Sequence, residues 1–222
     1  MRHPFRRILF VPALLAAFAL VLAAPAARAD RKPYVFDKAH SEINFVAEAL
    51  LLSAHGFFGT FDGQVQIDAD NLENSTLTLT IEAASINTRN DRRDNHLRSA
   101  DFFDAANHAQ IIFVSKKISR VDAQNLLIEG DITIRGVTRP LQIPTRVVFL
   151  REGRGRFKGE FKISRKEFSV SYDSRMNPIE DIVAVQFDFN LSDQQMMEEM
   201  RRRREQQRQQ QPTQPPAKPP VS

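Results

Sequence analysis

The chain has 222 residues with no cysteine and no tryptophan, and its formal net charge is +4 at pH 7. The absence of cysteine excludes a disulfide-stabilised scaffold, so the fold must be held by its core. Residues 1–29 carry four arginines and no acidic residue, so the rest of the chain is close to neutral. Its sequence therefore lacks the basic surface expected of a nucleic-acid-binding domain.

The first 29 residues have the organisation of a secretory signal peptide. A basic stretch, MRHPFRR, precedes the apolar run ILFVPALLAAFALVLAA, and Ala27 and Ala29 have the small-x-small spacing of a cleavage site. An uncleaved membrane anchor is the alternative, because the apolar run approaches the length that spans a bilayer. Pro12 and Pro25 favour cleavage, so we expect a mature chain that begins at Asp30 and is located in the periplasm.

Residues 30–192 are predicted to form one β-rich domain. Apolar and polar residues alternate with a period of two in successive short segments, which indicates strands with one buried face. Glycines fall mostly at turn-like points such as FDG, IEGD and REGRGR. The pattern predicts an antiparallel all-β fold with about eight strands, either a barrel or a sandwich.

Residues 92–104, RRDNHLRSADFFD, interrupt this alternation, and a short helical segment is predicted near residues 91–99. A catalytic role would use Asp94, His96 and Asp101 as an acid–base set, but the chain offers no nucleophile motif beside them. A metal site is also disfavoured, because the histidines of the domain lack the close spacing typical of metal ligands. We therefore predict neither catalysis nor a metal centre here.

A structural role for the same segment is favoured. Arg93, Asp94 and Arg98 are expected to pin the helical turn through mutual ion pairs and hydrogen bonds, with His96 beside them. Phe102 and Phe103 would then enter the end of the barrel. The predicted clamp or entrance comprises these charged residues together with the histidine of the first turn: His40, Arg93, Asp94, His96 and Arg98.

The domain is rich in phenylalanine, and many of these residues lie on the inward face of the alternation. An eight-stranded barrel is either just filled by side chains or has room for one small ligand. A lining without paired charges would suit an aliphatic guest, whereas a filled core is the alternative. Residues 49–52, ALLL, break the alternation. The predicted cavity lining is Phe45, Leu50, Leu52, Phe58, Phe61, Ile86, Phe102, Phe103 and Phe113.

The C-terminal segment, residues 193–222, is of low complexity and rich in Arg, Gln and Pro. The spacing of its methionines predicts a short helix after Asp193 that stops before Pro212. This helix has too little apolar surface to join a core, and the remaining chain is expected to be disordered. The segment is either a solvated tail or a transient tether to a membrane or cell wall.

Several sequence blocks together resemble the YceI-like, polyisoprenoid-binding proteins. They are DKAHSEINF, FGTFDGQVQID, SINTRNDRRDNHLRSADFFDAANHAQIIFVS, IEGDITIRGVTRPL and SRKEFSV, and they run from about Tyr34 to Leu191. The resemblance implies an exported, lipocalin-like, eight-stranded antiparallel barrel with an elongated apolar cavity. It also implies that the ligand is a long isoprenoid chain, such as a polyprenyl phosphate or a quinone tail.

Three positions differ from the usual pattern of the family. Glu48 or Ala49 stands where a histidine is common, Arg135 replaces a histidine or asparagine, and Ser169 replaces a glycine. The first difference affects a head-group contact that the resemblance would otherwise imply.

Two classes of function follow from the sequence. The first is non-catalytic binding, carriage or storage of an isoprenoid lipid, without a cofactor or metal, by a monomer or homodimer. The second is an interaction module in which the barrel is filled and the basic tail makes the contacts. The lipid content of natively purified protein distinguishes the two.

Overall fold

The structure is a computed structural model that describes residues 30–210. The predicted signal peptide, residues 1–29, and residues 211–222 lie outside the described residues. Eleven strands and two α-helices follow one another, and no helix in the described range has the length and apolar character needed to cross a bilayer. The strands are β1 (Lys32–Phe36), β2 (Glu42–Ala49), β3 (Ala54–Phe58), β4 (Phe61–Ile67), β5 (Thr76–Glu82), β6 (Ile86–Asn87), β7 (Gln110–Arg120), β8 (Asn125–Ile134), β9 (Val137–Arg151), β10 (Arg154–Ser164) and β11 (Ile179–Asp193).

Eight of these strands form a closed antiparallel ring in the order β1-β4-β5-β7-β8-β9-β10-β11, and β11 pairs with β1 to close it. The predicted eight-stranded antiparallel barrel is therefore confirmed. The apolar residues of each alternating segment face the interior, where Phe36, Phe61 and Phe189 pack with ring centroids 5.0–5.7 Å apart. Closure of the ring leaves β1 and β11 without a free edge where they pair.

Strands β2, β3 and β6 extend the ring at one end, called the upper end below. The C-terminal part of β11 pairs with β1, and its N-terminal part pairs with β2, so these two strands succeed each other along one edge of β11. β3 pairs with β2, and β6 pairs with β3. Within residues 30–210, no ladder joins β6 to β7. The chain that connects them, residues 88–109, lies at this end.

The first helix, α1 (Asp91–Arg98), lies within this connection, as the sequence predicts. Its N-cap is Asn90, whose side chain accepts a hydrogen bond from the backbone N–H of Arg93 at 3.0 Å. After the helix ends at Ser99, the ring of Phe103 packs edge-on against Phe58 of β3 at a centroid distance of 5.9 Å. The segment that interrupts the strand pattern thus covers the upper end of the barrel.

The second helix, α2 (Gln194–Gln210), follows β11 directly at the opposite, lower end. The carboxylate of Asp193 caps it by accepting hydrogen bonds from the backbone N–H groups of Gln195 and Met196. The Met196 sulfur lies 3.0 Å from the position that a Cβ on Gly153 would occupy. A helix is therefore present at the predicted place, and its first turn contacts the turn between β9 and β10.

Candidate functional site

The barrel encloses a cavity of about 530 Å³. Its walls are the inward-facing side chains of the strands, and nearly all of them are apolar. This volume lies within the range of roughly 300–1,000 Å³ that is typical of small-molecule sites. The interior is therefore not filled by side chains, although an eight-stranded barrel is small enough for that.

Seven of the nine side chains predicted to line a cavity do so: Phe45, Leu52, Phe58, Ile86, Phe102, Phe103 and Phe113. Phe61 instead packs among the rings of Phe36 and Phe189 and is not part of the lining. Leu50 lies outside the cavity with its side chain exposed, because residues 50–53 form the turn between β2 and β3. Ligand contact at these positions stays a prediction.

The lining extends from one end of the barrel to the other. Toward the lower end it includes Leu72, Ile118 and Leu126, all of them buried. Toward the upper end it includes Leu97 of α1 and, from the loop between β10 and β11, Tyr172 and Asn177. The cavity therefore runs along the barrel, as a binding site for an elongated ligand requires.

Two segments held together by hydrogen bonds border the cavity at the upper end: the β2–β3 turn and the loop of residues 171–178. The side-chain oxygen of Asn177 accepts a hydrogen bond from the backbone N–H of Leu51 at 2.7 Å, and its amide nitrogen donates to the carbonyl of Leu52 at 3.3 Å. The backbone N–H of Leu50 donates to the carbonyl of Pro178 at 3.1 Å. These bonds make the two segments one unit.

Asp94 is the buried polar centre of α1, and only 3% of its surface is exposed. One of its carboxylate oxygens accepts hydrogen bonds from both the backbone N–H and the hydroxyl of Thr88. Arg93 donates from Nε to the Thr88 hydroxyl at 2.8 Å and from Nη2 to the Thr88 carbonyl at 2.9 Å. Thr88 thus joins the two charged residues, and the predicted mutual ion pairs are wrong for Asp94, which bonds Thr88 instead of an arginine.

The other arginines at the upper end bind backbone carbonyls. Arg98 donates to the carbonyls of Ala84 and Ile86 at 2.7 and 2.8 Å, and so ties α1 to β6 and to the residues just before it. Arg135 donates to three carbonyls, those of Ala100, Phe102 and Ser169. Because a guanidinium presents several donors in a fixed plane, one side chain can hold several loop carbonyls at once.

Arg165 is buried and lines the cavity beside the loop of residues 171–178. It donates to the carbonyls of Val170, Tyr172, Ile179 and Glu180 at 2.7–3.0 Å. Sequence reasoning missed Thr88 and Arg165. The sequence pattern carries no signal for Thr88, and Arg165 stood out only as part of the SRKEFSV block of the family resemblance.

Two carboxylates near this loop also have structural partners. A hydrogen bond from the backbone N–H of Ile179 is the main cause that lowers the pKa of Asp173. The pKa of Asp181 is lowered chiefly by a hydrogen bond from the Ser164 hydroxyl. Both carboxylates therefore remain ionised at neutral pH and bind groups of the loop and of the end of β10.

The two histidines of the predicted clamp lie in different places. His96 lines the cavity in a cluster with the rings of Phe102 and Tyr172, at centroid distances of 4.9 and 4.7 Å, and its Nε2 lies 3.0 Å from Asp101. His40 lies in the β1–β2 turn, where its Nδ1 is 2.8 Å from Asp37. The structure therefore brings His96 into the upper-end cluster but does not place His40 there.

The described residues contain no group of three or more His, Cys, Asp or Glu side chains arranged to hold a metal ion. The hydrogen bond to Asp101 is the one side-chain hydrogen bond that the described residues give the His96 ring. Charged side chains in the lining are confined to the upper end, at Arg93 and Arg165. The site is thus an apolar tube whose charged groups lie at the upper end, while Ser75, Thr76 and Thr145 add neutral polar groups toward the lower end.

Solved structures of similar fold support this architecture. BcnA of Burkholderia cenocepacia aligns with a TM-score of 0.65 at 24% identity, over 70% of this chain and 98% of that protein. The YceI protein of Campylobacter jejuni aligns with a TM-score of 0.59 at 26% identity, over 64% of this chain and 85% of its own. A polyisoprenoid-binding domain from Saccharophagus degradans gives a TM-score of 0.60 at 18% identity, over 73% of this chain and 99% of the domain.

Sequence relatives agree with the structural ones. A UPF0312 protein of Ectopseudomonas mendocina is 34% identical over 72% of this chain and 87% of its own length. Protein YceI of Escherichia coli is 34% identical over 63% of this chain and 77% of its own length. The family model for the YceI-like domain matches residues 34–191, which include every strand except the ends of β1 and β11. The chain therefore belongs to the YceI-like family.

Proposed function

We propose that this chain binds a long-chain isoprenoid lipid in the barrel cavity and carries or stores it in the periplasm without changing it chemically. The observation that carries the proposal is the cavity itself, about 530 Å³ in volume and lined almost entirely by apolar side chains. Such a lining binds hydrocarbon through the hydrophobic effect and offers few groups for a polar ligand.

The energetics of burial agree with a lipid ligand. Apolar surface removed from water contributes about 25 cal/mol per Å², so burying about 400 Å² of an isoprenoid tail contributes about 10 kcal/mol before ordering costs. The charged lining residues Arg93 and Arg165 lie at the upper end. A polar or phosphorylated head group is therefore expected at that end, with the tail extending toward Leu72 and Leu126.

The relatives favour the isoprenoid class of ligand. The Saccharophagus degradans domain of the same fold is described as polyisoprenoid-binding. The N-terminal basic and apolar segment favours export, which would bring the barrel to the outer face of the inner membrane.

Binding without catalysis agrees with the chemistry of the polar end. Catalysis by the His96–Asp101 pair would require a nucleophile or an activated water, and the hydrogen bonds of the described residues join the imidazole and carboxylate of this pair to no third side chain. The alternative function, a filled barrel that acts through its tail, is disfavoured by the cavity. Transient contact of the arginines of α2 with an anionic surface is compatible with lipid carriage and should be sensitive to salt.

The test is the lipid content of gently purified protein, measured by organic extraction and mass spectrometry, together with uptake of a labelled isoprenoid by delipidated protein. In Val185→Trp, an indole replaces a small side chain of the lining and occupies the space of the tail. We expect this variant to lose binding while it remains folded. Val114→Trp is the matched control, because Val114 is 44% exposed on β7 and does not line the cavity.

Stoichiometric isoprenoid in the wild-type protein, lost in Val185→Trp and kept in Val114→Trp, is the expected result. If neither extraction nor uptake detects a lipid, or if Val185→Trp binds as well as the wild type, the cavity is not a lipid site.

A further inference from the structure

Four large apolar side chains project into water where the β2–β3 turn and the loop of residues 171–178 border the cavity. Leu50, Leu51 and Leu52 in the β2–β3 turn are 75%, 68% and 76% exposed, and Met176 in the loop of residues 171–178 is 85% exposed. We call these four residues the leucine tip. Single exposed apolar residues are ordinary on soluble proteins, whereas a cluster of four indicates a surface that meets an apolar partner.

Three backbone groups of the leucine tip are already hydrogen-bonded within the protein. The N–H groups of Leu50 and Leu51 and the carbonyl of Leu52 have partners in Pro178 and Asn177. A backbone group that enters hydrocarbon without a partner costs several kcal/mol, because no water is available to replace the bond. These three groups therefore need no water, which lowers the cost of bringing the apolar side chains of the tip to a bilayer.

Charged residues of both signs surround the tip. Arg175, next to Met176, is exposed and can contact lipid phosphates. The carboxylates of Asp173 and Glu48 accept hydrogen bonds from the Ile179 N–H and the Ser53 hydroxyl, two neutral donors that leave a carboxylate charge in place. The apolar side chains must therefore provide most of the attraction to a bilayer, with Arg175 adding a contact to lipid phosphate.

The tip is also continuous with the cavity. Leu52 belongs both to the tip and to the cavity lining, and Ala49 and Asn177 beside it line the cavity as well. A lipid tail that leaves a bilayer at this point would pass along apolar side chains into the barrel and would not cross water.

We propose that the leucine tip inserts into the surface of a phospholipid bilayer and holds the upper end of the barrel against it. The partner is thus a lipid surface, and insertion is driven by the four apolar side chains, with Arg175 contributing on anionic lipid. The transfer of an isoprenoid lipid at this point rests on the proposed function, whereas membrane docking does not require a lipid in the cavity.

The test uses the chain from Asp30 to Ser222, which contains the whole closed barrel and lacks the apolar N-terminal segment that would itself bind lipid. The variant Leu50→Ser/Leu51→Ser/Met176→Ser removes three tip side chains, none of which lines the cavity. Val121→Ser is the matched control, because Val121 is 66% exposed on the β7–β8 turn, away from the tip. Flotation with phosphatidylethanolamine/phosphatidylglycerol vesicles measures the partition of each protein.

We expect the wild type and Val121→Ser to float with the vesicles, and the triple variant to partition at least tenfold more weakly. Because the chain has no cysteine, Leu51→Cys and Val121→Cys can each be labelled with an environment-sensitive fluorophore. Emission of the label at position 51 should shift to the blue on vesicles, and that at position 121 should not.

Uptake of a soluble short-chain prenol separates docking from cargo binding. A triple variant that takes up the prenol normally but fails to float supports docking through the tip. A wild type that takes up the prenol but does not float on these vesicles overturns docking while leaving the proposed function intact. Docking is equally overturned if the triple variant floats as well as the wild type, or if the tip instead forms a dimer of this chain that the substitutions dissociate in sedimentation experiments.

Discussion

Replacing Asp94 by alanine should destabilise the upper end of the barrel because Thr88 would lose its acceptor. Both residues are buried, and the carboxylate accepts the Thr88 N–H at 2.8 Å as well as the Thr88 hydroxyl. The hydroxyl can rotate toward another acceptor, but the N–H is fixed by the backbone. A buried donor left unpaired costs about 1–3 kcal/mol, so we expect a loss of about 2–3 kcal/mol in the free energy of unfolding.

That loss corresponds to a fall in melting temperature of roughly 5–10 °C for a domain of this size. The assay is urea denaturation of lipid-free protein with a parallel thermal scan, followed by the release rate of bound isoprenoid. Release should accelerate, since α1 contributes Arg93, His96 and Leu97 to the cavity lining.

Asp94→Asn is the informative control, because an amide oxygen can still accept the Thr88 N–H while the negative charge is removed. We expect Asp94→Asn to retain most of the stability that Asp94→Ala loses, and Thr88→Ser, which keeps both donors, to resemble the wild type. Equal losses for Asp94→Asn and Asp94→Ala would show that charge pairing matters most and would refute the hydrogen-bond account. A loss below about 0.5 kcal/mol in Asp94→Ala would refute the burial argument as well.

Three further predictions follow from other parts of the barrel. Ser169 adopts a left-handed backbone conformation with a φ of 60°, so Ser169→Gly should raise stability by up to about 1 kcal/mol in urea denaturation, and a decrease would contradict this. The hydrogen bonds from Arg156 lower the pKa of Asp188, with Lys158 adding to the effect. This stabilisation is present above the unfolded pKa of about 3.9 and is lost as the pH falls through the lower folded value. Asp188→Asn should therefore lower the free energy of unfolding by roughly 1 kcal/mol at pH 7, and should have no effect at a pH low enough to protonate the wild-type carboxylate. Denaturation of both proteins at pH 7 and at that low pH will check this. A chain that ends at Asp193 should fold, melt within a few degrees of the longer protein and bind the same lipid, as calorimetry and prenol uptake will show; loss of the ligand would mean that α2 contributes to the cavity.

The strands were predictable because they obey a single rule, which left a barrel and a sandwich open until the family resemblance indicated the barrel. Val183, Val185 and Phe187 alternate with outward residues along β11, and the structure places all three in the lining. The helix over residues 91–98 was predictable for the opposite reason, since its charged residues cannot follow that alternation. In both cases the spacing of apolar and polar residues along the sequence reflects the repeat of the strand or of the helix.

The hydrogen-bond partners at the upper end were not predictable. Asp94 lies four residues before Arg98, a helical spacing that favours an ion pair, but its carboxylate bonds Thr88 instead because the chain before α1 folds back over it. Leu50 and Leu52 belong to one leucine run, yet only Leu52 lines the cavity. The conformation of the β2–β3 turn decides which of the two leucines lines the cavity, and apolar composition alone does not reveal that conformation.

The 15 residues of β11 give the molecule two different ends. The strand starts beside Ala49 and the leucine tip and ends at Asp193, where the arginine-rich helix α2 begins. Roughly 45 Å of extended chain therefore separates the leucine tip from the start of α2. If the leucine tip holds the upper end of the barrel on a bilayer, α2 at the lower end points away from that bilayer. The protein would then have a fixed orientation. Lipid would enter at the apolar leucine tip, and the arginines of α2 would face an anionic surface on the opposite side.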